Sequence, residues 1–104
     1  MQTLTLTIGH NVGAHPVWSF EQVATTAADL LALDGMTAFP VLGIWEGSRE
    51  ESTRIEVYAE PAEVERIISA TPALARALRQ ECIAATVDGV PRFIAAATNT
   101  HFAA

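Results

Sequence analysis

The first residues of the chain alternate strictly between threonine and aliphatic side chains, from Thr3 to Ile8. A period of two with β-branched residues is typical of a strand that is buried on one face only. The sequence therefore predicts a half-buried strand here, followed by a loop over Gly9–Pro16. The aliphatic residues face the predicted core, and the other face of the strand holds Thr3, Thr5 and Thr7.

A helix is predicted to begin after Ser19, because Gln22 stands three residues later and completes a capping box. Gly35 is the expected stop signal. Apolar residues at helical spacing predict that one face of this helix packs on the core. These residues are Phe20, Val23, Ala27, Leu30 and Leu31.

Two further strands are predicted to form a hairpin. The segment Thr37–Trp45 is apolar and strand-like, and Pro40 within it predicts that the strand lies at an edge or is bulged there. A polar loop follows over Glu46–Glu51, and side chains alternate again over Ser52–Ala59. Two strands joined by a short polar loop are typical of a β-hairpin.

The last third of the chain predicts a second helix and a second hairpin. Pro61 favours a helix start, and Thr71-Pro72 predicts an interruption, because the residue before proline disfavours helical geometry. Strands are expected over Cys82–Val87 and Val90–Ala97. Asp88-Gly89 between them is a strong signal for a tight hairpin turn.

The predicted order is β-α-β-β-α-β with one additional C-terminal hairpin strand. This is the split βαβ, or ferredoxin-like, α+β pattern, with an antiparallel sheet and both helices on one face. We expect one domain over residues 1–104, with 98–104 as a frayed tail. The helix-free face of the sheet is predicted to hold Thr3, Thr5, Thr7, Arg54, Glu56 and Tyr58.

Two short stretches, Arg79–Ile83 and Gly43–Gly47, resemble parts of small uncharacterised ferredoxin-like proteins. The resemblance implies the same fold. It implies no activity, because those proteins have no agreed one.

Composition excludes several functional classes. The formal net charge is −6, with 12 acidic residues, and all six basic residues are arginines. An acidic surface repels phosphate, so nucleic acid is not an expected partner. The absence of lysine excludes a phosphate-loop lysine and a Schiff-base lysine. No nucleotide loop, zinc spacing or nucleophile elbow is present, so no cofactor and no metal is expected.

The single cysteine, Cys82, predicts a buried and inert thiol and no internal disulfide. The N-terminal residues lack the basic and apolar regions of a signal peptide. No apolar run reaches the length that spans a bilayer, so no membrane partner is expected. The sequence therefore favours a cytoplasmic location.

Candidate catalytic residues are few. His10 and His15 flank the loop after the first strand, and His10 continues the inward register of that strand. Arg54 and Glu56 share a face at i and i+2, where they form either a carboxylate-binding pair or an exposed ion pair. The weak catalytic candidates are His10, Arg54 and Glu56. The binding candidates are Thr5, Thr7, Arg54, Glu56, Tyr58 and Trp45.

Three hypotheses about function follow. The leading one is a non-enzymatic module that self-associates through its open sheet face or edge strands. The second is a cofactor-independent enzyme with a pocket between sheet and helices that uses His10, Arg54 and Glu56, which would bind a small molecule. The third is an accessory protein of a mobile element that binds a protein partner. The absence of a catalytic motif favours a protein that is not an enzyme.

Overall fold

A computed structural model describes residues 1–98, and of Trp45 it describes only the backbone. Most of the predicted tail, residues 99–104, lies outside this range. The helices are α1 (Phe20–Leu30) and α2 (Pro61–Ala77). The strands are β1 (Gln2–Gly9), β2 (Asn11–Val12), β3 (His15–Pro16), β4 (Thr37–Trp45), β5 (Ser48–Ala59), β6 (Cys82–Val87) and β7 (Val90–Ala95).

The five long strands form one antiparallel sheet in the order β4-β5-β1-β6-β7. The first strand, β1, lies at the centre and pairs with β5 on one side and β6 on the other. The predicted strand with Pro40 is at an edge, where a missing backbone N–H is tolerated. The α+β class and the antiparallel sheet are thereby confirmed.

One hydrophobic core joins the sheet to the helices. The inward residues of β1 are fully buried, and they pack with the buried stripes of both helices and of β5. Within the predicted stripe of α1, the fully buried residues are Val23, Ala27 and Leu31, whereas Leu30 is exposed. The capping box at Ser19 and Gln22 is present, with both reciprocal hydrogen bonds formed.

Both hairpin turns of the main sheet use two residues with positive φ. Asp88 and Gly89 have φ of 50° and 83°, which is the geometry of the type I′ turn that the sequence predicts there. Glu46 and Gly47 have φ of 49° and 78° and join β4 to β5 in the same way. The loop predicted over Glu46–Glu51 is therefore shorter than expected, since β5 begins at Ser48.

The predicted break at Thr71-Pro72 is wrong, because α2 continues through Pro72 to Ala77. The buried stripe of the helix runs across the proline and includes Thr71, Leu74 and Ala75. Burying one leucine gains about 1.5–3 kcal/mol, comparable to the ~3 kcal/mol cost of an interior proline. Tertiary packing therefore offsets the local preference of the chain.

Two smaller predictions are also corrected. The stretch predicted as a loop after β1 contains a short hairpin formed by β2 and β3. Cys82 is exposed and not buried, because Ile83 and Ala85 take the inward positions of β6. Among the described residues, no helix is long and apolar enough to cross a membrane.

Candidate functional site

The structure separates the catalytic candidates onto opposite faces of the sheet. His10 follows the inward register of β1 and is 4% exposed. Arg54 and Glu56 lie on the helix-free face, opposite Thr7 and Thr5 of β1. A single pocket between sheet and helices that uses His10, Arg54 and Glu56 together is therefore excluded. Successive side chains of a strand point to opposite faces of the sheet. His10 follows the inward set, and Arg54 and Glu56 follow the outward set.

His10 is held in one orientation at the end of β1. Its Nε2 lies 2.8 Å from the Thr53 hydroxyl oxygen, and Thr53 is fully buried. Nδ1 makes no hydrogen bond within residues 1–98, although every fully buried side-chain nitrogen or oxygen in that range has a partner. Nδ1 therefore keeps some accessible surface, and His10 is one of the residues that line the adjacent cavity. An imidazole fixed at one nitrogen and accessible at the other is suited to proton transfer.

The cavity beside His10 has a volume of about 520 Å³. It lies between the β4–β5 hairpin and the first turn of α1, and this volume is in the usual range for small-molecule sites. Its walls are largely apolar, with polar groups at Ser19, Glu51 and His10. The lining residues are His10, Trp18, Ser19, Phe20, Pro40, Val41, Leu42 and Glu51.

Hydrogen bonds fix two walls of this cavity. The indole Nε1 of Trp18 donates to the Leu78 carbonyl oxygen at 2.8 Å, and the Arg79 guanidinium lies 5.7 Å from the ring centroid. The backbone N–H of His10 donates to the Glu51 carbonyl oxygen at 2.9 Å. The aromatic wall and the strand that presents Glu51 are therefore both held to the core.

Charges of both signs border the cavity. The Glu51 carboxylate is negative, while the first turn of α1 presents the positive end of the helix dipole at Ser19 and Phe20. The rings of Trp18 and Phe20 add negative quadrupole density to the lining, although one face of the Trp18 ring already lies against the Arg79 guanidinium. The arrangement therefore suits a ligand that has an apolar ring, a cationic centre and an anionic group.

On the helix-free face, Arg54 and Glu56 do not pair with each other. The Arg54 Nε donates to the Thr7 hydroxyl at 3.1 Å, and the Tyr58 hydroxyl donates to Glu56 Oε1 at 2.9 Å. The hydrogen bond to the Glu56 carboxylate, together with its negative charge, raises the pKa of Tyr58 above its ordinary value. The predicted exposed Arg54–Glu56 pair is therefore wrong, because each side chain has a nearer partner.

The remaining candidates are dispersed. His15 is exposed on the short hairpin, and Thr5 lies in the middle of the helix-free face. The backbone of Trp45 ends β4, but its side chain lies outside the described part of the structure. In residues 1–98, no three His, Cys, Asp or Glu side chains form a group that could hold a metal.

Sequence reasoning did not identify Thr53 and Glu51 as neighbours of His10. The register of β5 places Thr53 opposite Ile8, and His10 bonds to the strand at Glu51. The sequence did offer one signal for such a neighbour, the inward position of His10. A buried imidazole needs a polar partner, which a neighbouring strand would supply. The pairing of that strand could not be fixed, because the turn at Glu46-Gly47 was predicted as a longer loop.

Comparisons with known proteins show a shared fold. No protein-family model matches the chain, and a search of curated proteins finds no match. A phage SAM lyase in complex with S-methyl-5'-thioadenosine superposes with a TM-score of 0.76 and 16% identity, over 91% of this chain and 89% of that one. A phage SAM lyase in the apo state gives a TM-score of 0.69 and 18% identity, over 93% and 90%.

These likenesses correct the leading hypothesis about function. The fold of this chain, over nearly its full length, is one that a phage enzyme adopts. The prediction of a non-enzymatic module or accessory protein is therefore corrected, because this is the fold of an enzyme. At 16–18% identity the comparison establishes the fold, and the activity of this chain is a matter of proposal.

Proposed function

We propose that this protein is a small enzyme that binds a thioadenosyl sulfonium compound such as SAM in the His10 cavity and cleaves a carbon–sulfur bond. The observation that supports this most strongly is the cavity itself. It combines apolar and aromatic walls with Glu51, the first turn of α1 and a positioned imidazole. The fold likeness to a phage SAM lyase indicates which ligand class to test.

The electrostatics of the cavity favour a sulfonium ligand. SAM has a cationic sulfur, an adenine ring and an α-carboxylate. The Glu51 carboxylate and the faces of Trp18 and Phe20 suit the cation, and the N-terminus of α1 suits the carboxylate. A net charge of −6 also attracts a cationic ligand to the protein.

The proposed cleavage of the carbon–sulfur bond needs few groups from the protein. When the carbon–sulfur bond breaks, its electron pair goes to sulfur, which becomes a neutral thioether. The carbon fragment is balanced either by loss of a proton from the neighbouring carbon or by attack of its own carboxylate. His10 Nδ1 or the Glu51 carboxylate accepts the proton in the first case. No metal or redox group takes part in either route.

We infer that the connectivity is ferredoxin-like, because the order β4-β5-β1-β6 with α1 and α2 as connections follows the split βαβ pattern. We also propose that copies of the chain associate through the edge strands of the sheet, on which Ile44 and Val90 are 66% and 67% exposed. Light scattering coupled to size exclusion at micromolar concentration tests this, and a strict monomer contradicts it.

The proposed reaction is tested by incubating the protein with SAM and measuring S-methyl-5'-thioadenosine by liquid chromatography and mass spectrometry. Glu51→Gln is expected to lower the rate of release at least about tenfold, as loss of one charge-assisted contact of ~1.4 kcal/mol predicts. Glu65→Gln is the matched control, since Glu65 is exposed on α2, away from the cavity. Equal rates for Glu51→Gln and Glu65→Gln would contradict a reaction in the His10 cavity.

A further inference from the structure

A smaller cavity, of about 250 Å³, lies on the helix-free face of the sheet. The sheet separates it from the His10 cavity, so one small ligand cannot occupy both. Its floor is formed by the central strands β1, β5 and β6, and one wall by the edge strand β7. The lining residues are Thr5, Thr7, Arg54, Ala84, Ala85, Thr86, Pro91, Arg92 and Phe93.

Two arginines line this cavity, and Arg54 is the one that lies on the helix-free face, opposite Thr7. Arg92 pairs with Ala85 and alternates in register with the buried Ile94, so its side chain belongs to the other face. The Arg54 Nε donates to the Thr7 hydroxyl at 3.1 Å, which fixes the plane of the guanidinium and leaves both terminal nitrogens available. Among residues 1–98, no carboxylate forms an ion pair with Arg54. The nearest acidic residue along β5 is Glu56, whose Oε1 accepts a hydrogen bond from Tyr58.

The threonines add donors to the same cavity. The hydroxyl oxygens of Thr5 and Thr86 lie 2.5 Å apart, so one donates to the other. The hydroxyl that accepts this bond still has its own hydrogen to donate to a third group. Ala84, Pro91 and Phe93 add apolar surface to the lining.

We propose that this cavity binds a small monocarboxylate with a short apolar tail, a ligand additional to the sulfonium substrate. The end of the Arg54 guanidinium binds the carboxylate oxygens through two hydrogen bonds, and a threonine hydroxyl donates a third. The apolar tail lies against Ala84 and Phe93. A singly charged ligand is favoured over phosphate, because the protein's charge of −6 penalises each added negative charge.

The proposal is tested by titrating ¹⁵N-labelled full-length protein with sodium butyrate at constant ionic strength. Butyramide, the neutral isostere, and inorganic phosphate serve as comparison ligands. Butyrate is expected to shift the amide signals of Thr5, Thr7 and Thr86 in a saturable way, and butyramide to bind at least about tenfold more weakly. Shifts confined to other regions, or tighter binding of phosphate, would overturn the assignment.

Two arginines on β5 supply a matched pair of variants. Arg54→Gln and Arg49→Gln each remove one positive charge from a chain whose formal charge is −6. Arg49, unlike Arg54, does not line this cavity. Arg54→Gln is expected to weaken butyrate binding at least about tenfold, and Arg49→Gln to leave it unchanged. Equal weakening by both variants would show that the net charge of the protein, and not a contact with Arg54, attracts butyrate. That result would overturn the site.

Thr7→Val gives an independent result if Arg54→Gln does not fold. It removes the hydrogen bond that orients the guanidinium while the charge stays in place. An intermediate loss of affinity, about threefold, is expected. Unchanged affinity in Thr7→Val, together with equal binding of butyrate and butyramide by the unmodified protein, would overturn the proposal without reference to Arg54→Gln.

Discussion

At the scale of single residues, the buried His10–Thr53 pair defines the candidate site. Both side chains are inside the protein, and each satisfies the other's hydrogen-bonding need at the end of a fully buried strand face. A buried polar group that loses its partner costs about 1–3 kcal/mol. The hydrogen bond therefore holds the imidazole in place, and a conservative substitution of Thr53 measures how much it contributes to the free energy of unfolding.

Thr53→Val keeps the shape of the side chain and removes the hydroxyl. We expect the free energy of unfolding, measured in urea, to fall by about 1–3 kcal/mol, because the His10 Nε2 is left buried without a partner. Thr3→Val on the helix-free face is the control, since its side chain is only half buried. Thr3→Val should change stability by less than about 0.5 kcal/mol. A loss of equal size in both variants would contradict the role assigned to Thr53.

Tyr58 makes a second residue-scale prediction, about pH. Its pKa is raised because its hydroxyl donates to the Glu56 carboxylate. The stability linked to this proton is complete below the unfolded value near ~10 and is lost as pH rises through the higher folded pKa. Because the chain has a single tyrosine, absorbance at alkaline pH reports its pKa directly. Glu56→Gln should lower that pKa, and an unchanged titration curve would exclude the interaction.

At the scale of elements, hairpin turns determine the register of the sheet and therefore which side chains meet. Asp88-Gly89 was recognised from the sequence because an Asp-Gly pair is a strong signal for a two-residue turn. Glu46-Gly47 has the same geometry, but Glu at the first position lacks that signal. This difference explains why the turn of the β6–β7 hairpin was predicted accurately, although β7 ends at Ala95 and not at Ala97, while the start of β5, and with it Glu51, was not.

The turn at Gly89 is open to a direct test. Gly89 has φ of +83° and open space around the position of an added Cβ, so Gly89→Ala is strained by conformation alone. We expect a loss of about 1–2 kcal/mol in the free energy of unfolding. Gly35→Ala is the matched control, because Gly35 also has open space but no positive φ. If Gly35→Ala were as destabilising as Gly89→Ala, the turn geometry would not be the cause.

At the scale of the whole molecule, the α+β class and the antiparallel sheet followed from local patterns, and the site did not. Alternation, the Ser19 capping box and the Asp88-Gly89 turn each act over a few residues, so sequence alone specifies them. The His10 cavity depends on contacts between residues about 40 positions apart, such as His10 with Thr53. The same long-range geometry separates His10 from Arg54, which sequence reasoning had placed in one pocket.

The fold also places groups of different charge in the cavities on the two faces of the sheet. The helix-covered face has Glu51 and aromatic walls that suit a cation, while the open face has Arg54 without an acidic ion-pair partner among residues 1–98. In a chain with twice as many acidic as basic residues, two of the six arginines, Arg54 and Arg92, line the cavity on the open face. Under the two proposals, a cation binds on one side of the sheet and an anion on the other.

Cleavage of SAM by the unmodified full-length protein is the measurement that tests the central claim most directly. Protein in micromolar excess over SAM is incubated at neutral pH, and S-methyl-5'-thioadenosine is quantified against a protein-free control. The account predicts that the thioadenosine rises above the control and approaches the SAM supplied, with the matching carbon fragment in equal amount. Release no faster than in the control, with no binding of SAM by calorimetry, would contradict it.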